Sequence, residues 1–316
     1  MVDKLNINKL RCACCNSWDN DTCFPECKDD WNKENKSLGQ CAITALIVND
    51  YLGGKIKKCE VENSKISHYY NEIEKQDIDF TRGQFDENVK LINDKYKIRE
   101  DMIKTEHTKV RYELLKERVN EFLSGLDKID LEIRLCNMCE DMIEKSNNDT
   151  TIHYGNDTKI IIVGEAPANN GWRKSGKCWY GSDGKITGSG RVMEKLLTNI
   201  GLKLEDITFV EAVKCYSIER KSLTKCKENC YEYLQRQLAI LKHELILTLG
   251  DMATKSLLRD IKYKNYKEVV GKIHNMKIDE LQINVLPIYY PSPISYKDNT
   301  SIFETVRNCI SKEECL

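Results

Sequence analysis

Apolar and polar residues follow two different patterns along the chain. In the second half, short apolar runs alternate with segments whose apolar residues recur every three or four positions. The runs KIIIVG, ITFVEAV, ELILTLG and INVLPIYYPSP predict strands, the last broken by its prolines, and GRVMEKLLTNIG, CYEYLQRQLAILK and DMATKSLL predict helices. Short apolar strands that alternate with helices are typical of a parallel sheet covered on both faces. We therefore expect a three-layer α/β domain with a central parallel sheet.

Residues 105–144 show the second pattern. They are rich in charged residues and helix formers, contain no proline and place apolar residues at helical spacing, which predicts helices linking two globular parts. A polar stretch at 144–157 predicts a loop. The preceding part combines a helical segment with strand-like segments, as in an α+β domain. We expect one domain at 1–125, a helical linker at 126–157 and a second domain at 158–316.

The composition narrows the class of protein. A chain of 316 residues is long enough for two domains. Neither a basic start followed by an apolar run nor a long apolar stretch is present, so we expect a cytoplasmic protein with no membrane partner. In a reducing compartment its 15 cysteines point to metal binding, catalysis or burial rather than disulfides.

The charge is unevenly distributed. The net charge is −1, but the first 150 residues carry about −6 and the remainder about +5. A mildly basic half is compatible with a polyanionic partner, although most of its lysines are expected to be simply solvated.

Polar motifs follow the predicted strands of the second half. GEAPANN, EAVKC, LGD and YYPSP each stand at the carboxyl end of an apolar run. Ligands bind at the carboxyl ends of the strands in parallel α/β sheets. We therefore expect these four segments to surround one crevice.

From about Leu131 to the C-terminus the chain resembles the iron-sulfur uracil-DNA glycosylases known as family 4. The resemblance rests on the order and spacing of CNMC, VGEAP, VKC, a second cysteine at the head of CYEYLQRQL, LTLG and a closing PSP. It implies a uracil-DNA glycosylase-like fold, DNA as partner and hydrolysis of an N-glycosidic bond.

The resemblance also implies a [4Fe-4S] cluster held by Cys136, Cys139, Cys215 and Cys230. Four thiolates satisfy such a cluster, and a two-residue gap lets neighbouring sulfurs converge. The sequence alone leaves two alternatives open, a structural zinc on the same sulfurs and unligated buried cysteines. Cys226, four residues before Cys230, is a competing ligand.

The resemblance assigns further roles around the crevice. Glu165 corresponds to the glutamate near the attacking water, and Tyr180 to the aromatic that stacks on the base, with Trp179 as the alternative. The alternative is that Trp179 and Tyr180 only cover a loop and bind no base. Further substrate contacts are expected in the first and last motifs, from Gly164, Ala166, Pro167 and Ser292.

Two positions depart from the family pattern. Glu211 stands where the family reads uracil with an asparagine, and an ionised carboxylate only accepts hydrogen bonds, so it opposes the uracil O4 acceptor. Tyr290 stands where the family has a histidine that donates to the departing base, and a tyrosine carries no positive charge near neutral pH. We therefore predict a damaged or modified base other than plain uracil as the substrate.

The alternative function is a non-catalytic nucleic-acid or nucleotide sensor fused to a thiol enzyme. Cys41 begins a predicted helix, where the helix dipole favours the thiolate, and His68 and Asp79 lie in strand-like segments that follow. Cysteine, histidine and aspartate in this order are compatible with a papain or transglutaminase type of site, acting on a protein or a small molecule. Equally, Cys41 and His68 are compatible with buried structural residues.

Residues 17–122 resemble a second family, the small bacterial YunG-like proteins. The resemblance rests on SWDNDTCFP, NKSLGQCAITALIVNDYLGG, SHYYN, DIDFT and RYELLKERV. It gives a domain and no activity. The cysteines near the start of the chain have irregular spacing, so zinc binding and a flexible start are both open; they are Cys12, Cys14, Cys15, Cys23 and Cys27.

Overall fold

The computed structural model describes residues 6–139, 144–145, 151–156, 159–217, 220–278 and 280–311. The chain forms two compact units, residues 1–124 and 125–316. The helices are α1 (Ile7–Ser17), α2 (Cys41–Leu52), α3 (Arg99–Ile103), α4 (Glu106–Leu135), α5 (Trp172–Ser175), α6 (Gly188–Thr198), α7 (Leu223–Leu241), α8 (Gly250–Leu257) and α9 (Tyr296–Ser311). The strands are β1 (Lys55–Val61), β2 (Ser67–Ile73), β3 (Gln76–Ile78), β4 (Leu91–Lys97), β5 (Glu144–Lys145), β6 (Ile152–His153), β7 (Ile160–Gly164), β8 (Thr208–Glu211), β9 (Cys215–Tyr216), β10 (Leu245–Leu249), β11 (His274–Ile278) and β12 (Leu281–Ile288).

The first unit is an antiparallel sheet with helix α2 packed against it. Its strand order is β3-β2-β1-β4. Helix α2 is buried through residues such as Ile43, Leu46 and Ile47, and it ends at Gly53, whose φ of 74° is a conformation that favours glycine. The predicted α+β character of this part is confirmed.

The second unit contains a six-stranded sheet of order β11-β12-β10-β7-β8-β6. The four inner strands β12, β10, β7 and β8 are parallel, and the edge strands β11 and β6 are antiparallel to their neighbours. Every residue of β7 and β10 is buried. Burial on both faces explains why these strands read as continuous apolar runs. The predicted α/β fold with a central parallel sheet is confirmed.

Two predicted details differ from the structure. Helix α7 begins at Leu223, seven residues before the predicted start at Cys230. The first proline of the last strand, Pro287, lies inside β12, whose pairing with β11 ends at Val285 and therefore does not require an N–H there. Part of the cysteine-rich start, left open as zinc-binding or flexible, forms helix α1, which buries Cys12 and Cys14.

A single helix, α4, occupies residues 106–135 of the segment 105–144 predicted to be helical, and it ends within the predicted linker, at Leu135. The predicted loop at 144–157 lies partly outside the described residues. The proposed boundaries at 1–125, 126–157 and 158–316 stay a prediction. No helix among the described residues is both long and apolar enough to cross a bilayer.

Candidate functional site

The carboxyl ends of β7 and β8 place two carboxylates in adjacent segments. The parallel register pairs Gly164 with Glu211. Beyond the strands the pairing continues, since the N–H of Ala212 donates to the Gly164 carbonyl at 2.9 Å and that of Val213 to the Glu165 carbonyl at 3.0 Å. The first motif and the EAVKC segment therefore form one continuous wall.

Glu165 is held by a cation that sequence reasoning missed. The Arg220 guanidinium donates to both carboxylate oxygens of Glu165, at 2.5 and 2.6 Å. The Glu165 side chain is 28 % exposed and that of Arg220 is 78 % exposed, so the pair is open to solvent. The two residues are 55 positions apart, and nothing in the local sequence indicates the pairing.

Glu211 is buried, with 6 % of its surface exposed. The Lys214 ammonium, also buried, donates to the Glu211 backbone carbonyl at 2.5 Å and to the Gln237 side chain at 2.6 Å. Burial lowers the pKa of Lys214 to about 8, although the negative charges of Cys230 and Glu211 act in the opposite direction and raise it. This lysine fixes the segment that carries both Glu211 and Cys215.

The two candidate aromatics have different surroundings. Trp179 packs edge-on against Phe209, with ring centroids 5.5 Å apart, and contacts the core. Tyr180 is partly exposed, and the Lys177 ammonium lies 4.1 Å from its ring centroid. Both side chains are partly exposed, but Trp179 packs against the core whereas the Tyr180 ring is contacted by the Lys177 ammonium.

The segment after β12 forms a closed loop beside α9. The Ser295 hydroxyl donates to the Tyr290 carbonyl at 2.6 Å, and the N–H of Ser292 donates to the Ser295 oxygen at 3.1 Å. Tyr290 is 59 % exposed, and Ile294 between the serines is 94 % exposed. Sequence reasoning missed Ile294, although an apolar residue in a loop of proline and serine was a visible signal.

The four predicted cluster ligands surround one cavity of about 200 Å³ in the second unit. They come from three places in the fold: Cys136 and Cys139 follow α4, Cys215 lies in β9, and Cys230 lies in α7. Cys226 is buried and hydrogen-bonds to Cys139 but does not line the cavity. Among the described residues, no group of three or more His, Cys, Asp or Glu side chains converges closely enough to hold a single metal ion.

The cavity has the chemistry that a cluster with thiolate ligands requires. The Asn229 amide donates to the Cys139 sulfur at 3.2 Å, as hydrogen bonds to cluster sulfurs do. The buried Lys214 next to Cys215 supplies positive charge. Ala166 of the first motif packs against Val213 and the cysteines of α7, so the cavity adjoins the carboxyl edge of the sheet. The residues present therefore fit an iron-sulfur cluster.

In the first unit the structure brings Cys41, His68 and Asp79 together. Cys41 is the first residue of α2, His68 lies in β2, and Asp79 directly follows β3. The Nε2 atom of His68 lies 2.7 Å from Asp79 Oδ2, and the His68 ring also hydrogen-bonds to the Cys41 thiol. His68 is fully buried, while Cys41 is partly exposed.

The environment of His68 favours its charged form. Burial lowers its pKa, but hydrogen bonds to Asp79 and Cys41 outweigh this and raise the pKa to about 9. Asp79 is itself held by the N–H of Thr81 at 2.9 Å. The Gln84 amide nitrogen lies 3.1 Å from His68 Nδ1, a contact that sequence reasoning missed.

Comparison with known proteins identifies relatives of both parts. Residues 6–124 match the family model YunG protein. Within this part the chain is 46 % identical over 55 residues to YunG of Bacillus subtilis, which covers 17 % of this chain and 46 % of that protein. The resemblance of the first part is therefore confirmed.

The second part matches a different family. The chain is 28 % identical over 179 residues to the type-4 uracil-DNA glycosylase of Archaeoglobus fulgidus, covering 55 % of this chain and 85 % of that protein. It is 29 % identical over 179 residues to the type-4 uracil-DNA glycosylase of Saccharolobus solfataricus, covering 55 % and 79 %. The family model of the uracil DNA glycosylase superfamily matches residues 152–312, just over half of the chain. The chain belongs to the uracil DNA glycosylase superfamily.

Proposed function

We propose that the second unit is a DNA glycosylase that hydrolyses the N-glycosidic bond of a damaged or modified base, and that plain uracil is not its main substrate. The observation that carries the proposal is the register of β7 and β8, which places the Glu165 motif beside Glu211 at the carboxyl edge of the sheet. The family membership and the names of the type-4 relatives support the reaction class.

Glu211 supports a substrate other than uracil. Its carboxyl is buried, so an unfavourable contact with a bound base is poorly screened. An ionised carboxylate accepts hydrogen bonds and donates none. A base that presents an amino group beside a ring N–H, as guanine does, is complementary to it, whereas the O4 acceptor of uracil opposes it.

In the proposed mechanism the base leaves the DNA stack and enters the crevice at the carboxyl edge. Tyr180 stacks on the base, Glu211 accepts from its pairing edge, and the Tyr290 hydroxyl donates to it as negative charge develops. Glu165 orients the attacking water. Because Arg220 donates to both oxygens of the Glu165 carboxylate, it fixes the direction of that carboxylate.

The exposed Ile294 has a role in reaching the base. Glycosylases that extrude a base pay the cost of unstacking, and apolar side chains inserted between base steps stabilise the opened duplex. Ile294 projects from a loop whose backbone is fixed by Ser292 and Ser295. We propose that Ile294 fills the space that the extruded base leaves in the stack.

We further propose that Cys136, Cys139, Cys215 and Cys230 hold a [4Fe-4S] cluster. The cavity they line supports this, as does the donor set of four sulfurs with an amide donor nearby. When bound, such a cluster supplies a rigid cross-link between α4, β9 and α7 and takes no part in breaking the glycosidic bond. Anaerobically purified protein is expected to be brown and to contain iron and sulfide.

The base preference is tested by mass spectrometry of the bases released from a panel of natural and modified DNAs. The wild-type protein is expected to release a base with an amino group and little uracil. Glu211→Asn is expected to raise uracil release by at least about tenfold, because a favourable hydrogen bond replaces a repulsive one.

Two controls accompany this test. Glu165→Gln, which removes the carboxylate that orients water, should abolish release of every base. Glu194→Gln, on the exposed face of α6, should leave release unchanged. Efficient uracil release by the wild-type protein would refute the proposed substrate preference, and release unaffected by Glu165→Gln would refute the proposed mechanism.

A further inference from the structure

The first unit contains a large cavity next to the Cys41 thiol. Its volume is about 680 Å³, within the range of sites that bind small molecules. Cys41 and Ala42 of the first turn of α2 line it, together with the aromatic side chains of Phe24, Tyr69 and Phe85. The Cys41 thiol, at the N-terminus of α2, therefore faces a cavity large enough for a substrate.

The hydrogen-bonded chain behind the thiol is arranged for proton transfer. Asp79 binds one ring nitrogen of His68 and so fixes the orientation of the imidazole, which also contacts Cys41. A thiol next to a charged imidazole and at a helix N-terminus is favoured as a thiolate. The N–H groups in the first turn of α2 have no partners within the helix, so they are oriented to stabilise an oxyanion.

The same cavity contains a buried cation, Arg111. It is 6 % exposed, and two of its N–H groups donate to the carbonyls of Thr22 and Gly39 at 2.9 Å. Among the described residues, no carboxylate lies within ion-pair distance of its guanidinium. The opposing charges that act on Arg111 are those of the Cys23, Cys41 and Cys27 thiols. A buried guanidinium without a carboxylate partner is costly, and a bound anion relieves that cost. Lys65 and Lys97 add positive charge to the lining, opposed by Glu26 and Asp101.

We propose that the first unit is a second catalytic centre, a cysteine amidase or esterase whose small substrate carries a carboxylate near the scissile acyl group. The Cys41 thiolate attacks the acyl carbon, the His68 imidazolium delivers its proton to the leaving amine or alcohol, and a thioester remains on Cys41. The neutral His68 then takes a proton from the water that attacks the thioester, which releases the carboxylic acid and restores the Cys41 thiolate beside the His68 imidazolium. Asp79 is a positioning residue, and Arg111 binds the substrate carboxylate.

The activity is tested on the full-length protein, under reducing conditions, with two matched esters. Mono-4-nitrophenyl glutarate carries a carboxylate, and 4-nitrophenyl butyrate does not. Nitrophenol release is followed by absorbance, and the acylated cysteine is identified by intact and peptide mass spectrometry. We expect acylation at Cys41 and at least a tenfold preference for the glutarate ester.

Variants separate the roles of the residues. Cys41→Ala should abolish acylation, whereas Cys15→Ser, a partly exposed thiol of α1, should retain it. Arg111→Lys should reduce the rate with the glutarate ester by a larger factor than it reduces the rate with the butyrate ester, so that the glutarate preference falls. Asp79→Asn should lower the pH at which activity falls on the alkaline side, because the charge that keeps His68 protonated is lost. If Asp79 had only a structural role, the pH of this alkaline fall in activity would not change.

His68→Gln places an amide in a buried position, and circular dichroism monitors whether it folds. Asp79→Asn is nearly isosteric and provides the test if His68→Gln unfolds. Acylation of Cys41 no faster than that of Cys27, which lines the same cavity, would overturn the proposal. If activity fell at the same alkaline pH in Asp79→Asn as in the wild-type protein, the role assigned to Asp79 in positioning His68 would be overturned. Equal rates for the two esters would overturn the assigned substrate class.

Discussion

At the scale of single residues, close packing explains side-chain choices near the glycosylase crevice. A Cβ atom at Gly164 would lie 2.6 Å from the ring of Phe209, and that ring is buried against Trp172 and Trp179. The first residue of the motif is therefore glycine because an aromatic ring occupies the space of a side chain. Glu211, paired with Gly164 in the register, is buried by the same arrangement.

Gly164→Ala is expected to lower the free energy of unfolding by about 1 to 3 kcal/mol, the usual cost of overpacking a core. Gly188→Ala is the matched control, since nothing lies within 4 Å of its Cβ position at the start of α6. It should be neutral or slightly stabilising. Chemical denaturation measures both, and equal effects of the two substitutions would contradict the packing argument.

His68 makes stability depend on pH. Its folded pKa is raised from 6.5 to about 9, so its contribution is fully present below about pH 6.5 and is lost as the pH rises through about 9. The loss is at most about 3 kcal/mol. Denaturation midpoints between pH 6 and 10 test this, and the decline should be shallower in Asp79→Asn. A wild-type protein that becomes more stable over this range would contradict the sign.

At the scale of elements, loops and helix ends carry the chemistry, and strands set their positions. The loop from Tyr290 to Ser295 is closed by serine hydrogen bonds, so its exposed Ile294 is held rather than free to collapse. Helix α7 contributes Cys230 to the cluster cavity and Gln237 to the contact with Lys214. One helix thus supports both the proposed cofactor site and the segment with Glu211, which is proposed to bind the edge of the base.

Ile294→Ala should reduce base release from duplex DNA by about tenfold or more, because an unstacked base pair costs a few kcal/mol to open. Release from single-stranded DNA should change little. Leu131→Ala, another exposed apolar position in the second unit, is the control and should affect neither. Equal losses on duplex and single strand would show that Ile294 has no wedge role.

At the scale of the whole molecule, the two sets of proposed functional residues lie in separate units. Cys41, His68 and Asp79 all lie within residues 1–124, and the four cluster cysteines with Glu165 and Glu211 all lie within residues 125–316. Each unit has a sheet and a core of its own. Each site is therefore complete in its own unit.

Replacing one set should leave the other intact. Cys139→Ala is expected to remove most of the iron and sulfide and to abolish base release, with Cys41 still acylated at the wild-type rate. Cys41→Ala should retain full iron content and base release. Metal analysis and the two activity assays measure this. Loss of both activities in either variant would contradict the separation.

The sequence alone determined the fold class of both units and the family, and its resemblance to that family implied the four cysteines of the proposed cluster. The fold class depends on short-range patterns, because apolar runs record burial on two faces, and the family depends on the order and spacing of short motifs. Tertiary structure decided what depends on distant parts of the chain meeting. Arg220 reaches Glu165 across 55 positions, Arg111 reaches Gly39 across 72, and Gln84 meets His68 only because the fold brings their segments together. Such pairings leave no periodic pattern in the sequence, because they depend on how the chain between the two residues folds.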